Sequence, residues 1–415
     1  MKIQRLFNLF NFILLGLAFN AQAQENKPAT VDLTQQKAVE LALKGNPHIK
    51  AADERADAAG RQSLPALFPD DPMVMVDTTN PGMQMWMVED KLGFPGKGIA
   101  KADMAGAEAK KMRAMALETR RSISLQAKQA FWDFYYRQRV DTILQEVQER
   151  WKRLAPILQS KELSGQWLSV KAVRMQMETA KAVNEMVANS RALRVSQFNL
   201  NHLFSLPHAT TYRLGEETAL PSFSGDEEEV VREALQQNSE ITAYRRAIEA
   251  NEAKANLASL DYLPDFDVWV SGVRDPNSGT FSDYGFRLGV SVPIFFPAKQ
   301  AQAAGAAGDE LEASRYDLLG KQNEVIHMTE DAFVNAESAW RILRLYEEGG
   351  LLGQVRRAWQ SGQTAYRNEQ MSLTDYVETY NTYVETLTNY FQAKADYGKA
   401  LAELDYQTGH AGEKE

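Results

Sequence analysis

Proline is almost absent from two long stretches of this 415-residue chain, and that absence sets the scale of its helices. Only Pro156 lies between Pro95 and Pro207, and no proline follows Pro297. Proline interrupts helix interiors, and both stretches are rich in Ala, Glu, Gln, Lys and Arg, which favour helices. As one helix, residues 98–161 would span roughly 95 Å, at about 1.5 Å per residue. A tube, a stalk or a coiled coil needs helices of this length, whereas a compact globule does not.

The same pattern occurs twice along the chain. Residues 39–49 read VELALKGNPHI and residues 231–241 read VREALQQNSEI, and both begin an amphipathic helix. Residues 88–97 read VEDKLGFPGK and residues 290–299 read VSVPIFFPAK, and both precede helices rich in Ala and Gly. We therefore predict a tandem duplication of helix, short β segment and two long helices. The first repeat would cover residues 24–220 and the second residues 221–415.

The N-terminus has the pattern of a secretory signal peptide. Lys2 and Arg5 precede an apolar run over residues 6–19, and Ala-Gln-Ala at residues 21–23 is a small-x-small cleavage site. We predict that residues 1–23 are removed and that the mature chain crosses the inner membrane. The alternative is an uncleaved membrane anchor, but the apolar run is short for a membrane span.

Composition excludes several functional classes. The chain has no cysteine, which excludes disulfides and thiolate metal ligands. A formal net charge of −9 without basic clusters argues against nucleic acid as a partner. The five histidines are scattered, Gly96-Lys97 lacks the rest of a phosphate-binding loop, and no Gly-x-Ser-x-Gly elbow occurs. We predict no enzymatic activity, no cofactor and no firm metal site.

Apolar and aromatic side chains recur at alternating steps of four and three residues in the predicted helices. They are Tyr376, Tyr380, Tyr383, Leu387, Tyr390, Tyr397, Leu401 and Leu404, and further upstream Ile143, Val147, Trp151, Leu154 and Leu158. This spacing is typical of helices that pack along one another as in coiled coils. The aromatic cluster FWDFYY at residues 131–136 would then pack between subunits rather than form a stacking surface.

Each repeat also contains a pair of short strand patterns. From Tyr284 to Val292 the chain alternates between apolar residues and Gly, Arg or Ser, as transmembrane barrel strands do. Its partner would be Phe266 to Val273, and the first repeat would supply Met73 to Asp77 and Met83 to Leu92. Isolated hairpins are not stable sheets, and four strands do not close a useful barrel. Several identical chains would therefore have to contribute strands to one wall.

These features resemble the TolC-type outer-membrane efflux protein family over essentially the whole mature chain. The resemblance is carried by Phe-Pro-x-Lys at residues 94–97 and 296–299, by LPALFPDDP at residues 64–72 and by AYRNEQMSLTDYVE at residues 365–378. It implies a mainly α fold with a small β part. Three chains would form a twelve-stranded barrel in the outer membrane, in contact with lipid, and long helices would form an α-barrel in the periplasm.

The resemblance also implies partners and a cargo class. The channel would be the passive export duct of a tripartite efflux system, coupled to a periplasmic adaptor (membrane fusion) protein and an inner-membrane pump. The stretch Phe94 to Lys97 after Met87-Val-Glu-Asp-Lys resembles the heavy-metal branch, which exports cobalt, zinc, cadmium, copper or silver ions. The alternative is a secreted or periplasmic coiled-coil structural or adhesive protein without a pore.

Residues Asp375 and Glu378 match an acidic pair that lines the periplasmic constriction in the family. Three residues apart, they lie on one helix face, and three chains would place about six carboxylates around the opening. The alternative is a pair of solvated acids. The family's usual basic residue four positions before the first acid is Met371 here, so Lys171 could supply the charge instead.

The turns and one strand face complete the candidate residues. Gly165 and the pair Asn368-Glu369 occupy equivalent turns between long helices, where the adaptor docks in the family; Glu369 replaces the usual small residue. Met83, Met85 and Met87 would share the lumen face with Arg287 and could suit soft ions such as copper(I) or silver. The alternative is that these methionines are apolar filler, and a register slip of one residue would turn them to lipid.

Overall fold

The computed structural model describes residues 30–79, 83–163, 169–216, 219–275 and 278–409. The predicted signal peptide lies outside these residues. The described chain forms, in order, β1 (Thr30–Leu33), α1 (Gln35–Gly45), α2 (Pro47–Arg61), β2 (Met73–Asp77), β3 (Gln84–Lys91), α3 (Lys97–Leu163), α4 (Ser169–Phe204), β4 (Thr211–Leu214), α5 (Glu227–Gln237), α6 (Ser239–Leu260), β5 (Asp265–Arg274), β6 (Phe281–Ser291), α7 (Gln300–Glu348), α8 (Leu351–Arg367) and α9 (Leu373–Gln407). Two shorter helices, two strands and long helices thus follow one another twice.

The long helices confirm the expectation from proline placement. Helix α3 has 67 residues and is therefore about 100 Å long. In the second repeat the corresponding stretch is divided into α7 and α8 at Gly349-Gly350, where Gly350 has a φ of 62°. Glycine adopts positive φ without a steric penalty and is a poor helix former. Proline content alone did not predict this break.

The four-stranded sheet has the order β2-β3-β5-β6, and all three pairings are antiparallel. Its strands coincide with the four predicted strand patterns to within a few residues, so these predictions are confirmed. The strand register places Val74 opposite Val88, Val88 opposite Val270, and Val270 opposite Phe286. Within the described residues, β2 and β6 pair on one side only and form the two edges of this sheet.

A second, two-stranded sheet joins distant parts of the first repeat. Strands β1 and β4 are parallel, with Thr30 opposite Thr211 and Leu33 opposite Leu214. Tyr212 of β4 is buried and donates a hydrogen bond of 2.5 Å to Asn201 Oδ1 of α4. This pair was not predicted, because each strand has only four residues.

The helices pack through the side chains that the heptad spacing indicated. In α9, Tyr376, Tyr380, Leu387 and Tyr397 are buried. Upstream, Ile143 and Val147 of α3 are buried and join the same core cluster as Tyr376, Tyr380 and Leu387. The side chains of Trp151, Leu154 and Leu158 lie outside the described part of α3.

The aromatic cluster at residues 131–136 corrects one prediction. Phe131, Trp132, Phe134 and Tyr135 are all buried within the single chain, where they form a core with residues of β1, α1, α4 and β4. The expectation that this cluster packs between subunits was wrong. The unpredicted β1–β4 pair covers Phe134, whose ring lies 6.0 Å from that of Tyr212.

Candidate functional site

The four-stranded sheet has one polar and one apolar face. The alternation along the strands and the observed register define the polar face, which carries Asp77, Glu89, Lys91, Asp265, Asp267, Ser271 and Arg287. The opposite face carries Val74, Val76, Val88, Val268, Val270, Phe286, Leu288 and Val290, and is interrupted by Asp90. The apolar side chains of β6 are open in the single chain, since Tyr284, Phe286 and Leu288 are 77%, 69% and 61% exposed. Such a face requires an apolar environment.

The polar face also carries methionines. Met75 of β2 lies directly opposite Met87 of β3, while Met73 lies opposite Glu89 and Asp77 opposite Met85. Sequence reasoning named Met85 and Met87 but missed Met73 and Met75. The alternation Met73-Val-Met-Val-Asp77 carries the same signal and could have revealed them.

Arg287 lies on the same face as these methionines. It is opposite Trp269, which in turn is opposite Glu89, so one row crosses the sheet from Met73 to Arg287. The Trp269 ring lies over Gly289, where an added Cβ would come within 2.5 Å of it. Met83 precedes β3 and is 53% exposed.

Lys97 links the four-stranded sheet to helix α3 through ion pairs. It is the first residue of α3, and its Nζ lies 2.8 Å from Asp265 Oδ1 and 3.4 Å from Asp261 Oδ1. Asp265 also accepts a hydrogen bond of 3.0 Å from the Phe94 N–H. The Lys97 residue is only 8% exposed. The Phe-Pro-Gly-Lys stretch of the first repeat thus holds the first strand of the second repeat.

The acidic pair lies at the start of α9. Asp375 N–H donates a hydrogen bond of 3.2 Å to Ser372 Oγ, and Ser372 Oγ donates one of 2.7 Å to Asp375 Oδ2. This reciprocal arrangement caps the helix N-terminus. Asp375 and Glu378 are both exposed and line one shallow cleft with Val355 and Ala358 of α8. The Lys171 side chain lies outside the described residues.

The turn between α8 and α9 has a defined geometry. Asn368 is the C-cap of α8, and Glu369 follows with a φ of 60°. The Glu369 N–H bonds to Tyr366 O at 3.2 Å, and the Gln370 N–H bonds to Ala365 O at 2.8 Å. This is a Schellman motif, whose left-handed position is usually glycine. Gly165 falls between the ends of α3 and α4 and lies outside the described residues.

The described residues contain neither a cluster of metal ligands nor a helix suited to span a membrane. In this part of the chain, no group of three or more His, Cys, Asp or Glu side chains is placed to hold a metal ion. Among the helices described, none has the length and apolar character required to cross a membrane.

Comparison with known proteins supports one family. The family model described as "Outer membrane efflux protein" matches residues 230–410. No curated protein matches the chain. Among solved structures, the CmeC outer membrane channel of Campylobacter jejuni has a TM-score of 0.77 at 14% identity, covering 94% of this chain and 91% of that one. A membrane protein from Pseudomonas aeruginosa has a TM-score of 0.77 at 14% identity, covering 91% of both chains. CusC has a TM-score of 0.72 at 13% identity, covering 92% of this chain and 93% of that one.

These findings define the class of protein. The fold is that of trimeric TolC-like channels, mainly helical with a small β part, which confirms the predicted fold class. The family match over residues 230–410 and the likeness of the whole fold both indicate similarity to the TolC-type outer membrane efflux proteins, which are channels and not enzymes. The protein is accordingly an outer membrane channel with a periplasmic helical portion. CusC is one of several structures at similar identity, so the heavy-metal branch stays a prediction.

Proposed function

We propose that three copies of this chain close into a transmembrane barrel of twelve strands, continued by a periplasmic tube of helices. The assembly is the passive duct of a tripartite export system. An inner-membrane pump supplies the energy and a periplasmic adaptor joins the pump to the duct. The cargo that we propose is heavy-metal cations.

One observation carries the proposal, namely a sheet with two open edges and an open apolar face. The edges are β2 and β6, and the backbone groups of an unpaired edge strand are satisfied most simply by another strand. The exposed Tyr284, Phe286 and Leu288 require contact with lipid. Copies joined edge to edge satisfy both needs. A coiled-coil protein without a pore gives no reason for either feature.

The polar face of the sheet would then line the lumen. Asp77, Glu89 and Asp267 bring negative charge to this face, and Lys91, which lies opposite Asp267, and Arg287 bring positive charge. Carboxylates outnumber the basic side chains in this set, and a lumen with an excess of carboxylates favours cations over anions. This is one reason for proposing a cationic cargo, and the likeness of residues 94–97 to the heavy-metal branch is the other.

The acidic pair at the start of α9 is proposed to gate the periplasmic end. Helix capping accounts for the contact of Asp375 with Ser372 but not for Glu378 one turn later on the same exposed surface. Repulsion among these carboxylates would hold the opening wide, and a bound cation would relax it. Lys171 is proposed to latch to Asp375 or Glu378 in the closed state.

The helix–helix turns are proposed to receive the adaptor. The turn at Asn368-Glu369 is compact, with two backbone hydrogen bonds closing it. Gly165 is proposed to hold the equivalent position in the first repeat. Two turns per chain would present six contact points to the adaptor in a trimer.

Two measurements test the proposal. The purified mature protein should be a detergent-requiring trimer that conducts ions in a planar bilayer; a monomer that stays in solution without detergent would overturn the pore. Deletion of the gene should sensitise cells to copper, zinc or cadmium, with dyes and antibiotics tested alongside. Sensitivity to dyes alone would overturn the metal cargo and leave the channel intact.

A further inference from the structure

We infer that the methionines of β2 and β3 form a binding site for a soft monovalent cation, copper(I) or silver(I). The inference rests on the proposed function only in assuming that the polar face of the sheet meets water. The site consists of Met73, Met75, Met85 and Met87, all on that face of one hairpin.

Strand register brings these thioethers together. Met75 and Met87 are direct partners, and side chains directly opposite in an antiparallel pair have Cβ atoms about 4.5–5.5 Å apart. Met73 is diagonal to Met87, and Met85 is diagonal to Met75. Diagonal neighbours remain within reach of long side chains. The four sulfurs therefore follow a zigzag line in which each can share an ion with the next.

Apolar packing does not account for this cluster. The methionines occupy the face that carries Asp77, Glu89 and Arg287, whereas the apolar face of the same two strands has Val74, Val76 and Val88. Met73 and Met85 are 54% and 39% exposed, Met75 and Met87 are half-buried, and none of the four lies in a closed core. Flexible methionine is favoured where irregular interior space must be filled, and this open face has no such interior.

The chemistry of the thioether selects the ligand class. Thioether sulfur is a soft donor that favours copper(I) over zinc, magnesium or calcium. The chain has no cysteine, so the stronger thiolate donor is absent. Binding by thioethers alone is suited to a duct, because an ion must leave each site as readily as it enters. The carboxylates of Asp77 and Glu89, at opposite corners of the cluster, complement the positive charge.

The test is silver binding by the full-length assembled protein in detergent. Isothermal titration with silver nitrate in chloride-free buffer would compare the wild type with Met75→Leu/Met87→Leu. Leucine nearly conserves the volume of methionine and removes the sulfur. The matched control is Met115→Leu/Met328→Leu, since both methionines lie on long helices and are 45% and 44% exposed.

We expect the β2–β3 double variant to bind silver at least tenfold more weakly and the helix control to bind as the wild type does. Zinc titrations should not differ among the three proteins. Equal silver affinity in the wild type and the β2–β3 variant would overturn the site, as would an equal loss in the helix control.

Bilayer conductance of the same preparations separates this inference from the channel itself. A wild type that conducts but does not bind silver overturns the thioether site and leaves the channel. A wild type that binds silver through Met75 and Met87 but does not conduct supports the site and overturns the channel.

Discussion

Asn46 and Asn238 make the same pair of hydrogen bonds in the two halves of the chain. Asn46 Nδ2 donates to Leu203 O at 3.1 Å, and its Oδ1 accepts from the His48 N–H at 2.9 Å. Asn238 Nδ2 donates to Gln407 O at 3.0 Å, and its Oδ1 accepts from the Glu240 N–H at 2.9 Å. Each buried asparagine therefore caps one helix and holds the end of the last long helix of its own half.

Replacing Asn238 with Ala should destabilise the protein by about 2 kcal/mol. The change removes the helix cap and leaves the buried Gln407 carbonyl without its side-chain donor. The thermal midpoint of the purified protein in detergent measures the effect. Asn46→Ala should lower it comparably, whereas the exposed Asn381→Ala should not. Equal midpoints for Asn238→Ala and Asn381→Ala would contradict the assigned role.

Replacing Lys97 with Met should loosen the junction between the sheet and the helices. Met keeps the length of the side chain but removes the bonds to Asp265 and Asp261, and the expected loss is about 2 kcal/mol. The loss would appear as a lower melting temperature. The double variant Lys97→Met/Asp265→Asn should be less impaired than the sum of its single changes, because both act on one interaction. Strictly additive losses would show that the pair is not coupled.

Replacing Glu369 with Gly should raise stability by about 1 kcal/mol. A non-glycine residue in the left-handed conformation carries a steric cost that glycine avoids. Glu369→Ala is the matched control, because alanine removes the carboxylate but keeps the Cβ and its strain. A gain in thermal midpoint for Gly alone is expected. The same gain for Ala would attribute the effect to charge rather than to backbone conformation.

Asp141 should make stability depend on pH. Burial raises the pKa of its carboxyl, and hydrogen bonds from Gln145 and Asn189 offset this only in part. The folded protein then holds this proton more tightly than the unfolded chain, so stability falls as pH rises from the ordinary value of 3.8 through the raised one. Asp141→Asn should therefore be more stable than the wild type at about pH 7, and the difference should vanish below the ordinary pKa.

The exposed Asp103→Asn variant serves as the control for this pH dependence. Its thermal midpoint should follow that of the wild type at both pH values. An Asp141→Asn variant that is no more stable than the wild type at neutral pH would show that burial does not penalise this charge.

The acidic pair should set ion selectivity. Asp375→Asn keeps an acceptor for Ser372 and removes the charge, and Glu378→Gln removes the second charge. Reversal potentials under a salt gradient should show weaker cation preference in each variant and the weakest in the double variant. Unchanged conductance and selectivity in both would count against a gate at this position.

Much of the architecture could be predicted from local pattern. The strands of the four-stranded sheet were evident because alternation has a period of two and proline clusters bracket the strands. Helix α3 was evident because it contains a single proline, Pro156, which lies near its C-terminal end. The elements that were not predicted depend on contacts between residues far apart in the sequence. Strands β1 and β4 have four residues each, and each pairs with the other. The burial of Phe131 and Trp132 within the chain follows from the same contact region.

The candidate site was predicted in part. Alternation identified the methionines of β3, but only the pairing with β2 shows that Met75 faces Met87. The capping contact of Asp375 with Ser372 depends on where α9 begins, and sequence patterns locate helix ends only to within a few residues. The left-handed Glu369 could not be inferred from composition, because glutamate is rarely found in that conformation.

The glycine pair at residues 349 and 350 affects the outer surface that the assembly would present to a binding partner. In a ring of three copies, the continuous helix α3 of the first half would alternate with α7 and α8 of the second half, which are separated by the glycine pair. Two alike halves per chain would give such a ring nearly sixfold symmetry, and the break at Gly349-Gly350 distinguishes the second half from the first. A partner that binds one kind of helix and not the other would then find three equivalent sites around such a ring.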